Sequence, residues 1–345
     1  MKNIDNLNIV RQGFIRRRVR WLTITLILTA VTILLSSMLL MYGSTRYPLS
    51  KVIQVLFGEE VKGASFAIGT IRLPRMLAGL LVGISFGIAG NTFQTMLRNP
   101  LASPDIIGIT SGSSVAAVFC ILILKISGNA VSIAAVVFGL LVAGLIYLLS
   151  KGGSFSGGRL ILIGIGIQAM MNATISFLLL RANQYDVPAA LRWMSGSLNG
   201  MQMKSIPTLF LVVIIFAAII LLLGKHLSIL ELGDQSAITL GLRTDFTRLS
   251  LVLSAVFLIA FSTAVTGPIA FVAFLAGPIA GRLVGTGVSN GIPSGLVGAI
   301  LVLGGDLIGQ FAFNVRFPVG IVTGIMGAPY LLILLIRMNR TGGAA

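Results

Sequence analysis

Asp306 is the clearest residue that could do chemistry, because it is a carboxylate within a long apolar run, in the sequence Gly304-Gly305-Asp306. A carboxylate is costly to bury there, which makes Asp306 a functional candidate. It could bind the coupling ion of a proton- or sodium-driven secondary transporter, or it could be hydrogen-bonded to neighbouring helix ends. Ionisable residues are otherwise nearly absent from the apolar runs, whereas a proton-coupled pump is expected to carry a richer set.

Two arginines also have a spacing with a chemical meaning. Arg72 and Arg75 are three residues apart and share one helical face, and Pro74 between them fits the first turn of a helix. Exposed paired arginines can form bidentate bonds to the carboxylates of a docking protein. They could equally anchor the helix at lipid headgroups. Sequence physics leaves both interpretations open.

The sequence contains no pattern for a nucleotide, metal or catalytic site of its own. The segment Gly224-Lys225-His226 lacks the upstream glycine and the hydroxyl residue of a phosphate-binding loop. Cys120 is the only cysteine and His226 the only histidine, so neither a disulfide nor a Cys/His metal cluster is expected. We therefore expect no enzyme activity and no bound cofactor, and any ATP-driven process would need a site on another chain.

Composition defines the elements that must position these residues. Of the 345 residues, 56% are hydrophobic and only 10% are charged, and the mean hydropathy is +1.01. A soluble protein of average composition has about 25% charged residues. A soluble enzyme and a disordered chain are both excluded, and a polytopic helical membrane protein is predicted.

The net charge of +16 points to membrane topology and not to nucleic acid. Much of the excess is clustered directly before the first apolar run, at Arg11, Arg16, Arg17, Arg18 and Arg20. A basic flank of this kind is typical of a cytoplasmic N-terminus. The run from Trp21 to Tyr42 is longer than the apolar part of a signal peptide, so it is predicted to be the first span.

Apolar runs predict an all-α membrane protein with about ten transmembrane helices in one permease-like domain, residues 1–345. The predicted spans are 21–42, 72–96, 106–124, 130–150, 159–181, 205–224, 248–266, 268–285, 292–311 and 319–337. An even number of spans places both termini in the cytoplasm, with a basic arm at 1–20 and a cytoplasmic loop at 227–248. Segments 43–71 and 182–204 are then external. Lysine and arginine divide about 15 inside to about 10 outside, which agrees only weakly with the positive-inside rule.

Glycines recur at helical spacing within the predicted span 72–96, and polar residues lie near its end. Gly79, Gly83 and Gly87 recur every four residues, a spacing that lets membrane helices approach closely. Such glycines could also line a pathway. Gln94, Asn99 and Pro100 follow, and they share these two alternatives.

The combination of motifs from Arg72 to the C-terminus resembles the FecCD family, the permease subunits of importers for ferric siderophores, haem and vitamin B12. The resemblance depends on the following segments: Arg72-Leu73-Pro74-Arg75, Arg98-Asn99-Pro100-Leu101-Ala102-Ser103-Pro104, Trp193-Met194-Ser195-Gly196-Ser197-Leu198, Leu232-Gly233-Asp234 with Ala237 and Leu240-Gly241, Gly267-Pro268-Ile269, and Pro318-Val319-Gly320. No single segment would be specific, but the set is.

The resemblance implies an assembly with type II ABC importer architecture in the cytoplasmic membrane. Two homologous permeases form the pathway, two cytoplasmic subunits use ATP and Mg, and an external binding protein, lipid-anchored in Gram-positive bacteria, delivers the cargo. It implies ATPase coupling by Leu232, Gly233, Ala237, Leu240 and Gly241, and docking of the binding protein by Arg72 and Arg75. Ferric siderophore is the favoured cargo, and haem or vitamin B12 are the alternatives.

The residues of the predicted cytoplasmic loop, 227–248, also predict a short amphipathic helix over Leu230 to Gly241, broken by Gly233 and ending in a turn at Gly241. Leu232, Ala237 and Leu240 could then seat in a groove on a partner, and a solvated loop is the alternative.

The chain departs from the family pattern at three places. Many relatives have Pro-His where this chain has Ala276-Gly277-Pro278-Ile279-Ala280. Many carry glutamate where this chain has Arg316, and relatives often have arginine near Gln310, so Arg316 is a displaced docking candidate. These departures suggest one half of a heterodimer with an unlike, homologous permease.

Overall fold

The computed structural model describes residues 2–150, 157–285 and 287–342, with the side chains of residues 2–10, 106, 335 and 337–342 left out. Within these stretches the chain forms α-helices, one π-helix and short 3₁₀ turns, and no β-strand. The first seven α-helices are α1 (Lys2–Met41), α2 (Leu49–Leu56), α3 (Leu73–Met96), α4 (Ile109–Leu122), α5 (Asn129–Ser150), α6 (Gly157–Arg181) and α7 (Val187–Met194). The others are α8 (Ile206–Leu222), α9 (Gly224–Glu231), α10 (Asp234–Thr239), α11 (Thr244–Thr266), α12 (Val272–Val284), α13 (Gly291–Phe311) and α14 (Val319–Gly342).

The all-helical membrane architecture is confirmed. Among the described residues, seven helical segments are long and apolar enough to cross a membrane: those containing α1, α3, α5, α6, α8, α11 and α13. Three shorter apolar helices lie at α4, α12 and 319–334. Every predicted span therefore contains a helix, while the number that crosses and the side of each terminus stay predictions.

Helix boundaries differ from the predictions at three points. The basic arm is helical, since α1 is continuous from Lys2. Arginine is a good helix former. Hydropathy identifies only the apolar part of a helix, so it could not predict this extension. The predicted external loop contains α2 and a π-helix, Phe66–Arg72, that continues into α3. Finally, α12 begins at Val272 because Gly267 and Phe271 have φ of 73° and 64°, which reverses the chain after α11.

Helix α3 lies at the centre of the fold, with α13, α12, α11 and α8 packed around it. Its glycines make this packing possible. A Cβ at Gly83 would lie 2.5 Å from the Ala299 Cα of α13, and one at Gly87 would collide with the Ser294 carbonyl. At Gly79 the nearest atoms, 3.0 Å away, are leucine side-chain methyls. The contacts of these glycines favour helix packing over a pathway.

Gly87→Val is expected to lower the unfolding temperature of the purified protein and its folded yield, since overpacking costs roughly 1–3 kcal/mol or more. Thermal unfolding in detergent measures the effect. Gly144→Val on α5 is the matched control, because nothing lies within 4 Å of a Cβ at that position. Equal unfolding temperatures for the two variants would contradict the packing assignment.

Candidate functional site

The predicted cytoplasmic loop, 227–248, is a folded segment of two short helices. Helix α9 ends at Glu231, the chain breaks at Gly233 with φ of 114°, and α10 follows from Asp234 to Thr239. Gly241 then turns the chain with φ of 81°. Both glycines have backbone conformations that side-chain-bearing residues rarely adopt. The predicted helix broken at Gly233, with a turn at Gly241, is present.

Three large apolar side chains of this segment are exposed, and together they form what we call its apolar face. Leu232, Ile238 and Leu240 are 65%, 60% and 62% exposed. Ala237 is fully buried and packs inward with Leu230, so the expectation that it seats in a partner's groove is wrong. Its small side chain instead lets α10 lie against the core. Sequence reasoning missed Ile238, although it is a large apolar residue within the segment assigned to ATPase coupling.

Asp234 holds α10 to two long helices. Its Oδ1 accepts hydrogen bonds from Arg248 Nη2 at 2.8 Å and Arg98 Nη2 at 3.2 Å. Arg98 lies two residues beyond the end of α3, and Arg248 is a buried residue of α11. The segment that carries the exposed apolar side chains is therefore tied to α11 and to the end of the central helix, α3. Asp234 was quoted within a motif but given no role, although an acidic residue opening a helix was a visible signal.

At the opposite end of α3, Arg75 and Asp306 form a bidentate ion pair. Arg75 Nε and Nη2 donate to the two Asp306 oxygens at 2.8 and 2.7 Å, and Gln310 Nε2 donates to Oδ2 at 2.8 Å. Arg75 Nη1 donates to Asn199 Oδ1 at 2.5 Å. Asp306 is 1% exposed. This cluster joins α3, α13 and the α7–α8 connection, and it supplies Asp306 with an internal counter-charge.

Arg72 is buried, so the expectation of two exposed arginines is wrong at this position. Its guanidinium donates to the carbonyls of Leu40 and Met41, both at 2.9 Å, and of Thr45 at 2.6 Å. It also lies 5.0 Å from the centroid of the Tyr47 ring. The carbonyls at the end of α1 attract a cation because they lack intrahelical partners. Arg72 thus caps α1.

The remaining candidates occupy separate places. Arg316 is exposed in the connection between α13 and α14. Gln94 is buried and its Nε2 donates to the Phe274 carbonyl at 2.9 Å, which ties α3 to α12. Asn99 Oδ1 accepts from Leu101 N at 2.9 Å and, with Pro100, forms the turn after α3. Among the described residues, no three His, Cys, Asp or Glu side chains come together as a metal site.

Both the sequence and the fold are similar to those of known proteins. The sequence model of the FecCD transport family matches residues 25–337. The chain belongs to the FecCD transport family. It is a multi-pass protein of the cytoplasmic membrane and a transport subunit, not an enzyme. The match begins within α1 and so extends the resemblance found in the sequence, which started at Arg72.

Two relatives and one solved structure illustrate the similarity. The chain is 36% identical to the ferric enterobactin transport system permease protein FepG of Escherichia coli, over 86% of this chain and 91% of FepG. It is 32% identical to the cobalamin import system permease protein BtuC of Halobacterium salinarum, over 79% and 74%. An inward-facing structure of a transporter assigned to the metal-chelate ABC type has a TM-score of 0.82 and 26% identity, covering 91% of this chain and 99% of that one.

Proposed function

We propose that this FecCD protein is the permease subunit of an ATP-driven ABC importer, which moves a ferric siderophore across the cytoplasmic membrane by alternating access. The observation that carries the proposal is the exposed apolar face of Leu232, Ile238 and Leu240, tied to the central helix through Asp234. A rigid helix with an apolar face fits a groove on a partner and moves with it. Partner ATPases, using ATP and Mg, would supply that groove.

The cargo is proposed from the relatives. FepG, named for ferric enterobactin, is more similar to this chain than BtuC, named for cobalamin, at 36% against 32% identity. The metal-chelate assignment of the solved structure agrees with an iron chelate. Ferric siderophore is therefore our proposal, and haem or vitamin B12 is the alternative within the family.

An ion-coupled mechanism through Asp306 is the rival from another class. An ion-binding carboxylate needs free lone pairs and access to the ion. In this structure both Asp306 oxygens accept hydrogen bonds from Arg75, and the side chain is buried. An arginine stays protonated under all ordinary conditions, so it is a permanent counter-charge. The geometry favours a clasp between α3 and α13 over ion coupling.

Helix α6 supports a second permease as partner. Several small or polar residues of this candidate span are exposed at helical spacing: Gly166, Ala169, Asn172, Ala173 and Ser176. Helix α6 also exposes large apolar side chains, such as Leu162 and Phe177, which suit lipid, but exposed small residues favour helix–helix contact in membranes. We propose that α6 faces the homologous permease and the pathway between them, and the departures from the family pattern favour an unlike partner.

The predicted external face carries an excess of positive charge, which suits an acidic binding protein. The exposed basic residues on its described segments are Arg46, Lys51, Lys62, Lys125, Arg181, Arg192, Lys204 and Arg316. Against them stand the exposed Glu59 and Glu60, and Asp186, which pairs with Lys125. Of the three arginines proposed for docking, Arg72 is held by backbone carbonyls and Arg75 by the Asp306 carboxylate. Arg316 is exposed, and it is therefore our docking candidate.

Arg316→Glu is expected to weaken docking of the binding protein roughly tenfold, and more at low salt, because a rim charge acts through long-range attraction. The dissociation constant for the purified importer and its binding protein measures this at two ionic strengths. Arg243→Glu, an exposed residue on the predicted cytoplasmic side, is the matched control. Unchanged docking of Arg316→Glu would refute the assignment.

Asp234→Ala is expected to reduce coupling of ATP hydrolysis to transport about tenfold, since α10 loses both arginine contacts. The Arg98–Asp234 pair is partly exposed and contributes about 1 kcal/mol or less, whereas the Arg248 side chain is only 5% exposed, so the loss of Asp234 also destabilises the fold. Thermal unfolding in detergent therefore shows separately that the variant stays folded. The ratio of cargo transported to ATP hydrolysed is the measurement. Asp245→Ala removes the same charge from the same loop and should leave that ratio unchanged. A normal ratio for Asp234→Ala would contradict the role of Asp234.

The assembly is tested by affinity purification of this chain from its native membrane, followed by mass spectrometry. We expect an ATPase with a phosphate-binding loop and a second, unlike permease to co-purify. Recovery of this permease chain with the ATPase but no second permease sequence would contradict the heterodimer. Recovery of the chain alone, under conditions that keep known complexes intact, would contradict the importer and favour ion coupling.

A further inference from the structure

The middle of α1 is fixed against the end of α12 and the connection between α12 and α13. Arg20 Nε donates to the Leu283 carbonyl at 2.9 Å, and its Nη2 donates to the Arg282 carbonyl at 3.1 Å. Trp21 Nε1 donates to the Ser289 carbonyl at 2.8 Å. Through these three hydrogen bonds, Arg20 and Trp21 supply donors to carbonyls at the end of α12 and in the connection that follows it. They also hold α1 at a fixed position beside the α12–α13 connection, with a groove between the two.

The groove has a cationic and an apolar part. Its volume is about 420 Å³, and its lining consists of Phe14, Ile15, Arg17, Arg18, Trp21, Gly287, Val288 and Ser289. No carboxylate is among these residues. Positions 14, 17, 18 and 21 share one face of α1. Phe14 and Ile15 are 66% and 53% exposed, and Arg17 Cζ lies 6.0 Å from the centroid of the Phe14 ring.

The position of the groove just before the first predicted span places it at the expected level of the lipid headgroups. Trp21 opens the apolar run of the first span, and tryptophan is enriched at the membrane–water interface. With a rise of about 1.5 Å per residue, Arg17 and Arg18 lie about 4–6 Å beyond Trp21 along the helix. The predicted topology places them on the cytoplasmic side, where the leaflet is rich in anionic lipids.

We propose that this groove is a binding site for one anionic phospholipid of the cytoplasmic leaflet. The lipid phosphate lies between Arg17 and Arg18, and an acyl chain runs from there towards the bilayer along Trp21 and Val288. A free anion or an acidic peptide would pair with the arginines but leave Trp21 and Val288, the apolar groove residues towards the bilayer, without an apolar partner. A zwitterionic lipid would cover the apolar part, but its own cationic group would oppose the two guanidinium groups. An anionic amphiphile satisfies both parts of the groove.

The test uses the purified, delipidated protein with its bound subunits, titrated with short-chain phosphatidylglycerol and followed by native mass spectrometry. One phosphatidylglycerol per chain is expected to bind more tightly than phosphatidylcholine of the same chain length. Arg17→Gln with Arg18→Gln is expected to weaken phosphatidylglycerol binding about thirtyfold, given the usual contribution of each basic residue near a membrane surface. Arg11→Gln with Arg16→Gln removes the same charge from the exposed surface of α1 outside the groove, and should change binding less than about threefold.

Three results would overturn the proposal. Equal losses in the two double variants would mean diffuse attraction by the basic arm and no site. Equal binding of phosphatidylcholine and phosphatidylglycerol would remove the role of the arginines. Displacement of the bound lipid by an excess of inorganic phosphate would identify a free-anion site. The lipid site does not depend on the cargo or the energy source of the transporter.

Discussion

Ile238→Glu combined with Leu240→Glu is expected to reduce ATP-driven transport about a hundredfold or more while the permease stays folded. Both side chains are more than half exposed in the chain, so the substitutions place their charges in water in the absence of a partner. In the assembly, however, each carboxylate would enter an apolar contact, and an unpaired buried charge costs several kcal/mol. The ATPase should then detach or hydrolyse ATP without moving cargo.

The measurement compares cargo uptake and ATPase rate in proteoliposomes that contain the complete importer. Gln235→Glu is the matched control, because it adds one negative charge to an exposed polar position of the same short helix. It should retain coupled transport. Normal coupled transport by the Ile238→Glu, Leu240→Glu variant would exclude this face as the ATPase contact.

Arg75→Met is expected to produce the largest loss of stability, about 3–5 kcal/mol, because it leaves the Asp306 carboxylate buried without its counter-charge. The thermal unfolding midpoint in detergent should fall accordingly. Adding Asp306→Leu removes the orphaned charge, so the double variant should recover most of the lost stability. A double variant as unstable as Arg75→Met would contradict the clasp.

The same double variant separates the clasp from ion coupling. If Asp306 only joins α3 to α13, folded Arg75→Met, Asp306→Leu protein should still transport cargo with ATP. If Asp306 carries a proton or sodium ion, transport should be lost although the protein is folded. The result therefore bears directly on the two mechanisms left open by a lone carboxylate within an apolar run.

The helices could be predicted from the sequence because the bilayer demands long apolar segments, and each predicted span contains a helix. The broken helix of the 227–248 loop was equally accessible, since Gly233 and Gly241 occupy conformations that favour glycine. Both features depend on the types of residues that are close together in the sequence, so both could be predicted from it.

What could not be predicted depends on contacts between distant segments. Arg72 caps a helix end about thirty residues earlier in the chain, and Arg75 pairs with a residue 231 positions later. Spacing shows that the two arginines share a face but not that the face points inward. Likewise, the inward direction of Ala237 follows from how α10 rests on α9 and α11. Such orientations are fixed only when the helices pack.

The most direct test of the proposed importer is the uptake of a ⁵⁵Fe-labelled siderophore by proteoliposomes containing the purified complex, with the binding protein outside and ATP inside. We predict accumulation that requires ATP, survives collapse of the proton and sodium gradients, and is lost in the Ile238→Glu, Leu240→Glu variant. Accumulation that needs an ion gradient but not ATP would contradict the account and return Asp306 to the centre of the mechanism.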